Sequence, residues 1–198
     1  MEIFLRRCVD KLKRIINPVF KNSMTEEDLR MHLPVSCVFS FSEDLPIGYR
    51  LRQYQNDDYL SYQRLMFSSG MGYCPLNYWT QKIIPEGFFV IEYEPQKMIV
   101  AACFASEVIL KDVGIIGSLG WLACHPNHRG LRLGELLARK VSAKLIDHGL
   151  QLNLLGTQDF RLGAINLYLQ LGWQSYEESV AEKMRWKVIF NKLKELDR

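Results

Sequence analysis

Residues 114–149 restrict the fold most tightly. An apolar run, GIIGSLGWLAC, is followed by the ten-residue connection HPNHRGLRLG and then by ELLARKVSAKLIDHG. The first run reads as a buried strand. From the end of the connection onward, Leu133, Leu136, Leu137, Val141 and Leu145 recur at helical spacing, and Gly149 is placed to end that helix. The chain therefore passes from a buried strand into an amphipathic helix through a short loop bearing two arginines, Arg129 and Arg132.

The same alternation of strand and helix signals runs through the rest of the chain. GYRLRQY reads as a strand, and Asn56-Asp57-Asp58 is placed to cap a helix through YLSYQRLMF, which SSGMGYCP then breaks. GFFVIEYEPQKMIVAACFASEV reads as a hairpin joined at Glu94-Pro95-Gln96-Lys97. LQLNLLGT is a further strand, and RLGAINLYLQL a helix stopped by Gly172. WQSYEESVAEKMRWKVI is expected to supply two more strands, NKLKELDR an exposed tail, and residues 21–45 an irregular polar segment. The pattern predicts an α/β fold. With 198 residues, 48% of them hydrophobic, the chain suits one compact domain over residues 46–198, preceded by an extension over residues 1–45.

Net charge is only +3, short of what would by itself argue for a nucleic-acid partner. At the start, Ile3, Phe4, Leu5, Val9, Leu12, Ile15 and Ile16 recur at helical spacing with cations towards the other side, so residues 1–16 predict an amphipathic helix ended by Asn17-Pro18. It lacks the unbroken apolar core and cleavage site of a signal peptide, and no stretch of about 20 apolar residues predicts membrane insertion. The cysteines Cys8, Cys37, Cys74, Cys103 and Cys124 show no CxxC pair and no His/Cys spacing of a metal site. We expect free thiols, no metal and a cytoplasmic location. A homodimer is left open.

The connection HPNHRGLRLG leaves a strand and enters a helix, the place where free backbone N–H groups and the helix dipole gather around an anion. A Walker loop would need Gly-Lys-Ser/Thr and a dinucleotide site G-x-G-x-x-G; neither stands here. Instead Arg129, Gly130 and Gly134, with Pro126 upstream, resemble the acyl-CoA loop of the GNAT acetyltransferase superfamily. Arg132 stands where that pattern usually has a glycine, so its backbone must avoid positive φ or be strained. Its guanidinium is expected to reach a phosphate oxygen. A second segment, DFRLGAINLYLQLGW, resembles the superfamily's later motif, with Ala164, Leu167, Tyr168, Gly172 and Trp173 in the matching places. Arg161 stands where an asparagine is common, and is expected to bind phosphate in its place.

The resemblance covers roughly residues 48–186 and implies a mixed, largely antiparallel, splayed sheet of about seven strands with helices on both faces. It implies acetyl-CoA as co-substrate, held by residues Arg129, Gly130, Leu131, Arg132, Leu133 and Gly134, with the pantetheine arm along the strand edge Leu122, Ala123 and Cys124. Acyl transfer from a thioester to an amine passes through an oxyanion, which backbone N–H groups stabilise. A tyrosine of ordinary pKa about 10 can return a proton to a departing thiolate of pKa about 8.5, and Tyr168 is the expected acid. Glu107 is the expected base, ahead of Asp159 and His125. Met71, Tyr73, Tyr78 and Trp79 either line an acceptor cleft or fill the core. The implied function is transfer of acetyl to a primary amine of a small molecule or peptide; the alternative is a non-catalytic acetyl-CoA-binding or regulatory module.

Overall fold

A computed structural model describes residues 28–40, 44–110, 114–177 and 179–196. In chain order it contains β1 (Leu29–Leu33), β2 (Tyr49–Gln53), α1 (Tyr59–Ser68), α2 (Leu76–Thr80), β3 (Ile83–Tyr93), β4 (Met98–Leu110) and β5 (Gly114–Cys124). Next come α3 (Leu133–Asp147), β6 (Asn153–Thr157), α4 (Leu162–Gln170), β7 (Gln174–Ser175) and α5 (Val180–Leu196). The strands form a seven-stranded sheet in the order β2-β3-β4-β5-β6-β1-β7, so the expected α/β fold and strand number are found. Among the described residues no helix is long and apolar enough to cross a membrane.

The chain divides into two compact units: Ser36–Glu107 with Gly117–Leu150, and Met1–Val35 with Val108–Ile116 and Gln151–Arg198. In the first, β2, β3 and β4 pair antiparallel, with Tyr49 opposite Tyr93 and Phe88 opposite Phe104. The β3–β4 hairpin closes through a 3-10 turn at Glu94–Gln96, after which Lys97 takes the left-handed conformation at φ 47°. Gly87 is obligatory where β3 meets β4. A Cβ there would lie 2.8 Å from the Ile84 carbonyl oxygen and 3.0 Å from that of Ala105, and backbone cannot move aside as a side chain can. The core of this unit is aromatic: Phe88 stacks on Tyr54 at 4.2 Å and meets Phe104 edge-on at 5.3 Å. Leu133, Leu137, Val141 and Leu145, all from the expected stripe, are the buried leucines and valine of α3, while Leu136 is half-buried.

Asp58 does stand at the start of α1, but its carboxylate does not cap that helix. It accepts a two-pronged hydrogen bond from Arg52, at 2.6 and 2.8 Å, and the Gln55 N–H at 2.8 Å. Arg52 also donates to Glu92 at 2.7 Å, so one guanidinium ties β2 to β3 and to the head of α1.

The second unit corrects three expectations. Residues 21–45 were expected to be irregular, yet β1 lies between β6 and β7, antiparallel to both, with Met31 opposite Leu155 and Ser175. Leu29, Met31 and Leu33 are buried and Arg30 and His32 half-buried, the alternation of a strand whose faces differ. The two strands expected in residues 173–189 reduce to the two-residue β7, beyond which the chain forms the helix α5. Its start is a capping box: the Ser179 hydroxyl accepts the Glu182 N–H at 3.1 Å and the Glu182 carboxylate accepts the Ser179 N–H at 2.9 Å. Trp186, Ile189 and Leu193 then bury one helical stripe. The expected tail 191–198 therefore begins as the last turns of α5, with Leu193 packed inward. Arg30 pairs with Glu182 at 2.7 Å and Arg185 with Asp159 at 2.5 Å. The amphipathic helix expected over residues 1–16 lies outside the described residues.

Candidate functional site: a strand-to-helix anion cradle

The connection after β5 is built from backbone of restricted conformation. A 3-10 turn, Pro126–His128, is followed by Gly130 at φ 80° and Arg132 at φ 58°. Left-handed Arg132 followed by the right-handed helical Leu133 is an adjacent pair of opposite hand, the kind of backbone that gathers successive N–H groups into one concavity. Among the described residues, the N–H groups of Gly130, Leu131, Arg132, Leu133, Gly134 and Glu135 have no protein acceptor. The first bond of α3 runs from the Leu136 N–H to the Arg132 carbonyl at 3.1 Å. Gly134 sits in the first turn with nothing within 4 Å of where its Cβ would be. A series of free donors, the positive end of a 15-residue helix and an open space over a glycine together fit a phosphate-bearing ligand.

Arg132 resolves its sequence oddity by strain, since it adopts the left-handed conformation that a glycine would take without penalty. Its guanidinium is held by Glu135, with Nε at 2.8 Å and Nη2 at 3.0 Å from the two carboxylate oxygens. The Arg129 Nε donates to the Cys124 carbonyl at 3.4 Å. Burial raises the Cys124 thiol pKa, outweighing the nearby Arg129, and its Sγ donates to the carbonyl of His128 at 3.6 Å.

Upstream, β5 carries one residue of unusual conformation. Trp121 stands at φ 55° within the strand, where a non-glycine residue stays left-handed only if its surroundings hold it there. The preceding Gly120 is packed so closely that a Cβ would lie 2.8 Å from Phe104. Leu122, Ala123 and Cys124, expected to meet the pantetheine arm, follow Trp121 directly in β5. Sequence reasoning missed three residues beside it. The His128 ring lies 5.1 Å from Tyr93, 5.4 Å from His125 and within a 2.7 Å hydrogen bond of the Tyr49 hydroxyl. No local signal marks Tyr49, which is 79 residues away.

Glu107 lies in β4, its carboxylate 2.7 Å from His148 Nε2. Of the expected acceptor-side aromatics, Trp79 is core, 5.5 Å from Phe104, while Tyr73 and Tyr78 are exposed, Tyr78 with the Lys82 ammonium 3.6 Å over its ring. A cavity of about 470 Å³ opens instead beside Gln53, Tyr54, Asn56, Tyr59, Asn77 and Thr80. In the second unit, Arg161 stands at the start of α4 over the Phe160 ring and donates to Gln158. Tyr168 is buried on α4, its ring 6.3 Å from that of Trp173. Asp159 is committed to Arg185.

A seven-stranded sheet whose strand β5 runs into a loop of unpaired N–H groups at the head of a helix defines an α/β protein with a candidate anion site at that loop. Residues 49–173 match the Acetyltransferase (GNAT) family, and the chain belongs to that family. Its fold is similar to a GCN5-related N-acetyltransferase of Sphaerobacter thermophilus, with TM-score 0.58 and 18% identity over 76% of this chain and 50% of that one. It is also similar to a putative GNAT acetyltransferase of Novosphingobium aromaticivorans, at 0.58 and 16% over 77% and 62%. A third similar structure, from Arabidopsis thaliana, holds the bisubstrate analogue CoA-Ac-MVNAL, at 0.54 and 15% over 66% and 86%. The chain spans about half to three fifths of the length of the first two. No curated protein matches the chain.

Proposed function

We propose that this chain transfers an acetyl group from acetyl-CoA to the primary amine of a small molecule or peptide, by direct attack within a ternary complex. The observation that carries the reading is the set of unpaired N–H groups of residues 130–135 at the head of α3, beside the open Gly134. Acetyl-CoA supplies the activated thioester. The backbone of residues 129–134 would hold the pyrophosphate, and the strand segment Leu122, Ala123 and Cys124, next to the left-handed Trp121, would hold the pantetheine arm and offer N–H groups to the thioester oxygen. Arg161 is assigned to a further phosphate, reached by exchange from Gln158. Tyr168 is assigned as the acid that returns a proton to the departing thiolate, and Glu107, with His148, as the candidate base for the amine. We assign the chain to a reducing compartment, the cytoplasm, on the spacing of its cysteines, which contains no CxxC pair.

The test is thiol release from acetyl-CoA across a panel of amines and peptide N-termini, with wild type and Tyr168→Phe side by side. The expected outcome is turnover with at least one acceptor and a loss of about 10²- to 10⁴-fold in kcat for the variant, the usual worth of a positioned acid. Tight acetyl-CoA binding without turnover on any acceptor would replace this reading with a non-catalytic acetyl-CoA-binding module.

A further inference from the structure

The cradle's own side chains restrain it only through exposed contacts, Arg132 with Glu135 and Arg129 with the Cys124 carbonyl. Gly130 takes its left-handed conformation freely, but the left-handed Arg132 is in a conformation that an unrestrained non-glycine residue would leave. The restraint comes from upstream, where the chain is tied in turn to successive strands at one end of the sheet. The His125 N–H donates to the Val100 carbonyl of β4 at 2.8 Å. The His128 ring then rests against Tyr93 of β3 and bonds to Tyr49 of β2. Tyr49 and Tyr93 are register partners with ring centroids 5.0 Å apart, so the two strands present one aromatic surface. β2 is three strand spacings from β5, about 14 Å, a gap closed by the turn from one side and by the two tyrosine side chains from the other. The backbone of His128 is held as well, its N–H by the His125 carbonyl at 2.9 Å and its carbonyl by Cys124 Sγ.

We propose that Tyr49 and His128 are positioning residues for the cradle: their hydrogen bond, backed by Tyr93, fixes the turn from which the N–H groups of residues 130–135 are presented. The inference rests on the reading of that cradle as the CoA pyrophosphate site. Donors fixed before binding spare the ligand the ordering of the loop, so a broken tie appears as lost affinity.

Tyr49→Phe keeps the ring contacts and removes only the hydroxyl. By calorimetric titration with acetyl-CoA, Tyr49→Phe and His128→Leu are each expected to raise Kd about tenfold, with the double variant no weaker than either single one. His128→Asn, whose amide places a polar atom near the position of imidazole Nδ1, is expected to recover affinity to within about threefold of wild type. Melting temperatures measured in parallel separate a folding defect from a binding one. Tyr49→Phe and His128→Leu binding acetyl-CoA as wild type does, whatever their Tm, would overturn the proposal and leave the pyrophosphate reading intact. Failure of the wild-type protein to bind acetyl-CoA would remove that reading, and this inference with it.

Discussion

Arg132 clasps Glu135 three residues on, Nε and Nη2 each donating to one carboxylate oxygen, from a backbone held at φ 58°. Glu135 in turn accepts from Arg139 at 2.8 Å, and hydrogen bonding from Arg132, helped by Arg139, holds its carboxyl below the ordinary range against the effect of burial. The arginine that the sequence offers to a phosphate is thus already engaged along the first turn of α3.

Replacing it tests the backbone against the side chain. Arg132→Gly removes the left-handed penalty and only a solvent-exposed ion pair, so Tm is expected to rise by about 2–4 °C. Acetyl-CoA affinity should stay within about threefold, because the cradle donates through its N–H groups. A tenfold loss in titration would show that the guanidinium leaves Glu135 for a phosphate.

Gly134→Ala should separate stability from binding. A methyl group there touches no protein atom, and alanine favours helix over glycine by about 1 kcal/mol, so the variant melts higher. The same methyl occupies the approach of an anion to the first-turn N–H groups, and Kd for acetyl-CoA is expected to rise about tenfold or more. Tighter or equal binding would place the ligand elsewhere.

The Arg52 tie sets an acid limit. Burial pushes the Asp58 carboxyl up, but the hydrogen bonds from Arg52 and Gln55 outweigh it and hold the folded pKa below the ordinary 3.8. A group depressed in the folded state contributes stability that is complete above its unfolded pKa and is lost as pH falls through the folded one. Wild-type stability should therefore fall as pH drops below about 4. Asp58→Asn should flatten that fall and lower stability at pH 7 by about 1–3 kcal/mol, because Arg52 loses a charged partner. Urea titrations from pH 3 to 7 would decide it.

α5 is expected to behave as core rather than as tail. Trp186 is 1% exposed, and Trp186→Ala should cost about 3–5 kcal/mol. Met184 on the same helix is 66% exposed, and Met184→Ala should stay within about 0.5 kcal/mol. Equal small losses in chemical denaturation would mean that the helix is not packed.

The strand, loop and helix around the cradle were legible because their signals are short-range: Gly130 supplies positive φ, the α3 stripe is written in consecutive residues, and the arginine in the usual glycine's place left a backbone without positive φ or a strained one, of which Arg132 takes the second. The misread C-terminal segment was legible too. Ser179 and Glu182 spell a capping box, and Trp186, Ile189 and Leu193 recur at helical spacing, but the β-prone residues around them drew the reading towards strands. The placing of β1 left no such mark, since five residues of alternating burial do not name their partners.

The sequence alone therefore determined the α/β class, the strand that feeds a helix, and the loop whose N–H groups are free, because those follow from the conformational preferences of neighbouring residues. Only the tertiary structure decided that β1 lies between β6 and β7, that Arg52 joins Asp58 to Glu92, and that Tyr49 reaches His128. Those choices rest on pairings between distant residues, and the energy of each pairing exists only once packing has brought the partners together and displaced the water between them.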